Sequence, residues 1–132
     1  MTLLQNNEHD DRLQKLVGPR DWQSPQPQRL YDLVVIGGGT AGLVSAAIAA
    51  GLGAKTALVE SDLMGGDCLN YGCVPSKALL AVSHRLRYLR EAAEYGMPAS
   101  DGEVDFAKVM QRLRKLRADI AHHDSAQRFT DL

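Results

Sequence analysis

The sequence predicts an α/β fold that opens with a strand–turn–helix–strand unit, and three observations carry that prediction. Residues 30–36, Leu-Tyr-Asp-Leu-Val-Val-Ile, form a short apolar, β-branched run ending in glycine, as a buried parallel strand does. Most glycines of the chain crowd the stretch from Gly37 to Gly72, and residues 43–52 within it form an alanine-rich segment of helical character. Residues 54–60 then return to strand texture. This order and length match a mononucleotide-binding βαβ unit with parallel strands, the start of a Rossmann-like domain.

Composition bounds the rest. With 132 residues, a net charge of -1 and 45% hydrophobic residues, the chain is one small globular domain or a piece of a larger one. That charge balance points to neither nucleic acid nor a membrane surface, and no run is long and apolar enough to span a bilayer. Glu8, Asp10 and Asp11, with no apolar stretch beside them, argue against a secretory signal, so a reducing cytoplasm is expected.

Residues 1–29 read as a polar N-terminal extension closing on Trp22-Gln23-Ser24-Pro25-Gln26-Pro27-Gln28. Leu13, Leu16 and Val17 can mark one short amphipathic helix before Gly18-Pro19. An unstructured tail is the favoured expectation, with docking to a partner as its alternative. Residues 30–132 form the second unit.

After the first strand, Gly37-Gly38-Gly39-Thr40-Ala41-Gly42 is a G-x-G-x-x-G turn opening a helix. Gly37 permits the tight turn, Gly39 lets backbone approach a pyrophosphate, and Gly42 lets helix and strand pack closely. Thr40 and Ala41 sit at the helix N-terminus, where N–H groups and positive potential favour phosphate. Glu60 ends the second strand where an acid would accept hydrogen bonds from an adenosine ribose. The fingerprint fits FAD and NAD equally.

The run Gly65-Gly66-Asp67-Cys68-Leu69-Asn70-Tyr71-Gly72-Cys73-Val74-Pro75-Ser76-Lys77 holds both cysteines, with four residues between them. Pro75 and Ser76 read as the first turn of a helix. Cys73 then lies at a helix N-terminus that favours a thiolate, and Cys68 lies out in the loop. The expectation is an unequal pair, Cys73 buried and electronically tuned, Cys68 reachable. A structural disulfide or two free core cysteines is the competing reading, but as a staple so small a loop contributes only about 2 kcal/mol. Redox activity is the better account.

Beyond Lys77, Leu79, Val82, Leu86, Leu89 and Ala93 recur on one helix face that Gly96 and Pro98 stop. Asp105 caps a second helix with Phe106, Val109, Met110, Leu113, Leu116 and Ile120 as its buried face, which makes a helical hairpin. Lys108, Arg112, Arg114, Lys115 and Arg117 read as a solvated face, since no aromatic residues interleave with them as single-stranded nucleic acid would require. Adjacent His122 and His123 diverge on a helix and make a poor metal pair, so no metal site is expected.

Together the glycine turn, Glu60 and the cysteine run resemble the N-terminal part of the FAD-dependent pyridine nucleotide–disulfide oxidoreductases, a family that includes dihydrolipoamide dehydrogenase, glutathione reductase and mercuric reductase. The pattern Gly-Gly-x-Cys-x-Asn-x-Gly-Cys-x-Pro-Ser-Lys carries the likeness, and its exact form looks closest to the mercuric reductase-like branch. The resemblance implies that Gly37, Gly39, Thr40, Ala41, Gly42 and Glu60 hold the ADP half of FAD, that Gly66 and Asp67 pass close to the cofactor, and that Lys77 lies near its ring. It implies that Cys73 contacts the flavin and Cys68 exchanges with substrate. Electrons would pass between NAD(P)H, FAD, the Cys68–Cys73 pair and a disulfide or metal-ion substrate, in a homodimer. Asp67 departs from the family's common Thr, and a carboxylate near a pyrophosphate must be solvated or paired. The family's nicotinamide and dimerisation domains have no counterpart in the sequence. The expectation is therefore an incomplete domain from a truncated or split frame, lacking NAD(P)H oxidation and binding FAD poorly by itself. The alternatives are a non-enzymatic flavin-binding or thiol-carrying fragment that needs a partner chain, and an inactive remnant.

Overall fold

A computed structural model describes residues 7–132, so the first six residues of the expected extension lie outside the described residues. Strands β1 (Leu33–Ile36) and β2 (Thr56–Val59) pair in parallel, with Leu33 opposite Thr56 and Ile36 opposite Val59. Helix α2 (Thr40–Gly51) makes the crossover between them, as the βαβ pattern predicts. Its Leu43 and Ala46 are buried, and its packing against both strands covers one face of the sheet. The expectation of a buried first strand is corrected: Val34 and Ile36 are 54% and 87% exposed. Two strands with one covering helix leave the other face open among the described residues.

Helix α1 (Glu8–Val17) corrects the expectation of an unstructured tail. The Asn7 side chain accepts from the N–H groups of His9 and Asp10, at 3.1 and 3.0 Å, and so starts the helix. Asp10, Leu13 and Val17, spaced for one helix face, are all buried. Few apolar residues suffice here because Leu13 and Val17 are completely covered and Leu16 packs half-buried beside them.

Past β2, the short helix α3 (Gly66–Asn70) and the long helix α4 (Cys73–Glu91) hold the cysteine run. A 3-10 turn over Ala92–Tyr95 ends α4. Helix α5 (Phe106–Ile120) packs against α4, completing the expected hairpin, and the Asp105 carboxylate caps it by accepting from the Lys108 N–H at 3.1 Å. Leu113 is buried as predicted, whereas Phe106 at the turn end of the hairpin and Ile120 at the end of α5 are 64% and 37% exposed. Arg117 was expected on the solvated face and is only 4% exposed, turned toward α1. A 3-10 segment (Ala121–Asp124) and helix α6 (Ala126–Thr130) follow. Exposed His122 and His123 do not diverge: their ring centroids lie 3.8 Å apart on this tightly wound segment.

The principal core cluster unites Leu13 and Val17 of α1, Leu43 of α2, Leu63 and Met64, Leu69 of α3, and Ala118 and Ala121. It lies beneath the cysteine run and, among the described residues, reaches the sheet through half-buried Leu58.

Candidate functional site

The glycine turn leaves β1 at Gly37, whose φ of 104° suits glycine, and Gly37 N–H donates to the Val59 carbonyl at 2.8 Å. Gly39 caps α2 without any side-chain hydrogen bond. Leu43 N–H makes the first helical bond, to the Gly39 carbonyl at 2.9 Å. The N–H groups of Thr40, Ala41 and Gly42 therefore precede the helical ladder at the positive end of the dipole. A side chain at Gly42 would collide with the Gly37 carbonyl and press Val35 Cγ1 at 3.2 Å. Close helix–strand packing is thus what Gly42 permits.

Glu60 lies beside this turn because strand register brings the ends of β1 and β2 together. Its Oε2 accepts from Gly38 N–H at 2.5 Å, and its Oε1 accepts from the N–H groups of Ser61 and Asp62 at 2.7 and 2.9 Å. Burial pushes the Glu60 carboxyl up, but the Gly38, Asp62 and Ser61 N–H donors outweigh it and hold it below its ordinary value. Three bonds leave one carboxylate lone pair, on Oε2, for a further donor.

The cysteine run is fastened to the glycine turn. Gly65 N–H donates to the Gly38 carbonyl at 2.8 Å. Gly66, with φ of 55°, lies so close that a Cβ there would sit 2.7 Å from Gly39 Cα. Asn70, which sequence reasoning did not single out, is 2% exposed and anchors the turn from below. Its Nδ2 donates to the carbonyls of Met64 and Gly66, at 3.1 and 2.9 Å. The two bonds offset a cost of about 1–3 kcal/mol for its buried Oδ1, which has no partner among the described residues. The signal was an amide inside the glycine-rich run, where a short polar side chain can bond to neighbouring backbone.

Both cysteines are free thiols, and their side chains are hydrogen-bonding neighbours. Cys73 opens α4, whose first ladder bond runs from Ser76 N–H to the Gly72 carbonyl at 3.0 Å, so the predicted placement at a helix N-terminus holds. The expected exposure order is reversed: Cys68 is half-buried and Cys73 exposed. The reason is α3, which is absent from a simple loop reading; it draws Cys68 inward between buried Leu69 and the Thr40 hydroxyl. Its bond to Cys73 and burial push the Cys68 thiol up, with the charges of Cys73 and Asp124 adding to the rise, while the Thr40 hydroxyl acts against it.

Asp124 is the second residue missed. It is far away in sequence, and nothing local marks it. Its Oδ2 lies 3.0 Å from where a Gly65 Cβ would be. Burial pushes its carboxyl up, against the charges of His123 and Arg128. Asp67 is exposed, with its carboxylate over Gly72 and its carbonyl accepting from Tyr71 and Gly72 N–H at 2.9 and 2.6 Å. Lys77 is exposed one helical turn past Cys73. The fold thus brings Gly39, Thr40, Gly66, Cys68 and Cys73 into one neighbourhood. Among the described residues no group of three His, Cys, Asp or Glu could hold a metal, and no helix is long and apolar enough to cross a membrane.

Residues 31–130 match the family described as pyridine nucleotide-disulphide oxidoreductase. A dihydrolipoyl dehydrogenase of Bacillus subtilis is 47% identical over 96 residues, 70% of this chain and 20% of that protein. One from Geobacillus stearothermophilus is 45% identical over 80 residues, 61% of this chain and 17% of that protein. A glutathione reductase of Yarrowia lipolytica is 49% identical over 71 residues, 54% of this chain and 15% of that protein. The chain spans about a fifth of the length of these curated relatives, or less.

Proposed function

The chain belongs to the pyridine nucleotide-disulphide oxidoreductase family, and from that premise we propose that residues 30–132 carry the dithiol and the dinucleotide cradle of a flavoprotein passing electrons between NAD(P)H, FAD, the Cys68–Cys73 pair and a disulfide substrate. The observation that carries the reading is the hydrogen-bonded thiol pair fastened against an uncapped glycine turn. The relatives are named for a dihydrolipoyl group and for glutathione, which favours a thiol–disulfide substrate over the metal ion of a mercuric reductase-like enzyme.

The residues present fit FAD. The N–H groups that open α2 suit a pyrophosphate, nothing lies closer than 3.9 Å to a Cβ built at Gly39, and Glu60 retains one acceptor site for a ribose hydroxyl. Bound there, FAD supplies two-electron exchange with the dithiol. Gly37, Gly39, Thr40, Ala41, Gly42 and Glu60 would hold its ADP half, with Gly66 and Asp67 beside it and Lys77 toward its ring. Cys73, the more exposed sulfur, is the one a planar ring would cover.

The dithiol's own chemistry follows from the pair. Cys68, deprotonated, attacks one sulfur of the substrate disulfide and releases the first substrate thiolate, leaving a mixed disulfide. Cys73 thiolate then attacks Cys68 Sγ, the Cys68–Cys73 bond forms, and the second substrate thiolate leaves. Two electrons reach the substrate, and two protons follow them onto the released thiolates. Run in reverse, the same steps oxidise a dithiol substrate. The Thr40 hydroxyl donates to the Cys68 thiolate when it forms.

Mild oxidation of the purified chain tests the reading. The expected product is a monomer lighter by two hydrogen atoms, with Cys68 and Cys73 joined in one peptide. Two free thiols persisting under an oxidising glutathione buffer would overturn it.

A further inference from the structure

Helix α1 precedes the family-matched stretch, which begins at residue 31, yet it forms the floor of the cysteine run. Leu13 and Val17, 0% and 1% exposed, pack in one cluster with Leu63, Met64 and Leu69. Val17 carbonyl accepts from Met64 N–H at 2.9 Å. The Met64 carbonyl accepts in turn from Asn70 Nδ2 at 3.1 Å, and the same amide nitrogen donates to the Gly66 carbonyl at 2.9 Å. Gly18, just past the helix, lies so close to the same segment that a Cβ there would meet Leu63 Cδ2 at 2.7 Å. One short series of bonds thus runs from α1 through the Met64 peptide to Asn70 and the turn that bears Cys68. Charge secures the helix from its other side: Asp10 faces Arg114 at 3.6 Å and Arg117 at 3.8 Å, and Arg12 pairs with Asp119 at 2.7 Å.

We propose that helix α1 is a positioning element of the Cys68–Cys73 pair, holding the Met64 peptide, and through it the turn over Gly65 and Gly66, where the two sulfurs meet. The inference rests on the pair being redox-active. It assigns α1 to the working part of the domain, where composition alone suggested an unstructured tail.

The test compares two variants of the full chain, Leu13→Ala in α1 and Leu113→Ala in α5. Both remove a buried leucine, but only Leu13 belongs to the cluster beneath the cysteine run. Two readouts are followed: the dithiol–disulfide equilibrium in glutathione buffers, and the pH profile of Cys68 alkylation, on which Cys73, Asp124 and the Thr40 hydroxyl also act. The expected result for Leu13→Ala is a loss of about tenfold or more in the equilibrium constant for closing the disulfide, with an alkylation profile moved toward that of a free cysteine. Leu113→Ala leaves both within about twofold of the parent. Should Leu13→Ala fail to fold, Asp10→Asn is read in the same way. Equal shifts in the α1 and α5 variants, or none in either, overturn the positioning role alone. A parent chain that forms no internal disulfide overturns both this role and the redox reading beneath it.

Discussion

At the scale of single residues, the site depends on contacts that leave no room for substitution. Gly66 combines a φ of 55° with an approach to Gly39 that a methyl group would press to 2.7 Å. Gly66→Ala is expected to lose about 1–3 kcal/mol in urea unfolding and to slow disulfide closure, because the turn must lift away from Gly39. Glu60 makes a pH-dependent contribution. Its folded value lies below its ordinary one, so the stabilisation is present above about pH 4.3 and is lost as pH falls through the folded value. Glu60→Gln should therefore cost about 1 kcal/mol at neutral pH, and the gap to the parent should close on acidification; a gap constant with pH would contradict the role of the charge. Gly42 and Glu60 were legible in the sequence because their mechanics are local to a strand–turn–helix unit. The relative exposure of Cys68 and Cys73 was not, because it depends on Thr40 from another element and on a helix of five residues.

At the scale of elements, α1 shows how magnitude separates two kinds of ion pair. Arg12 and Asp119 meet at 2.7 Å with Arg12 half-exposed, and Arg12→Ala should cost under about 1 kcal/mol. Asp10 is 2% exposed and Arg117 4% exposed, and burial lowers the Arg117 guanidinium while Asp10 and Tyr71 raise it. Arg117 Nε and Nη2 have no hydrogen-bond partner among the described residues. Asp10→Ala would leave this buried cation largely uncompensated, and about 3–5 kcal/mol of stability should go with it in urea unfolding. Equal, small losses in the two variants would mean that Asp10 is not the anchor of α1. The strands, α2 and the helical hairpin were readable from periodicity and caps. The docking of α1 was not: its apolar positions are few, and Arg117, which looks solvated on its own helix, is buried where it faces Asp10 of α1.

At the scale of the whole molecule, the core lies under the cysteine run rather than under the sheet. Leu13 and Val17 converge there with Leu63, Met64 and Leu69 from the middle of the chain, and Ala118 and Ala121 from near its end. The family fingerprint announced a dithiol beside a dinucleotide turn, and the fold supplies the contacts that unite them. Asp124 joins that neighbourhood only through the folding of α5 and the segment after it, which no local pattern encodes. In the proposed mechanism Cys68 exchanges with substrate and Cys73 closes the disulfide. A single turnover of the reduced chain with a small disulfide, quenched with acid and weighed by mass spectrometry, tests it most directly. The expected outcome is two substrate thiols released per chain, a mixed disulfide trapped on Cys68 in Cys73→Ser, and no reaction in Cys68→Ser. A mixed disulfide that accumulates on Cys73 in the parent chain, or turnover that survives Cys68→Ser, would contradict it.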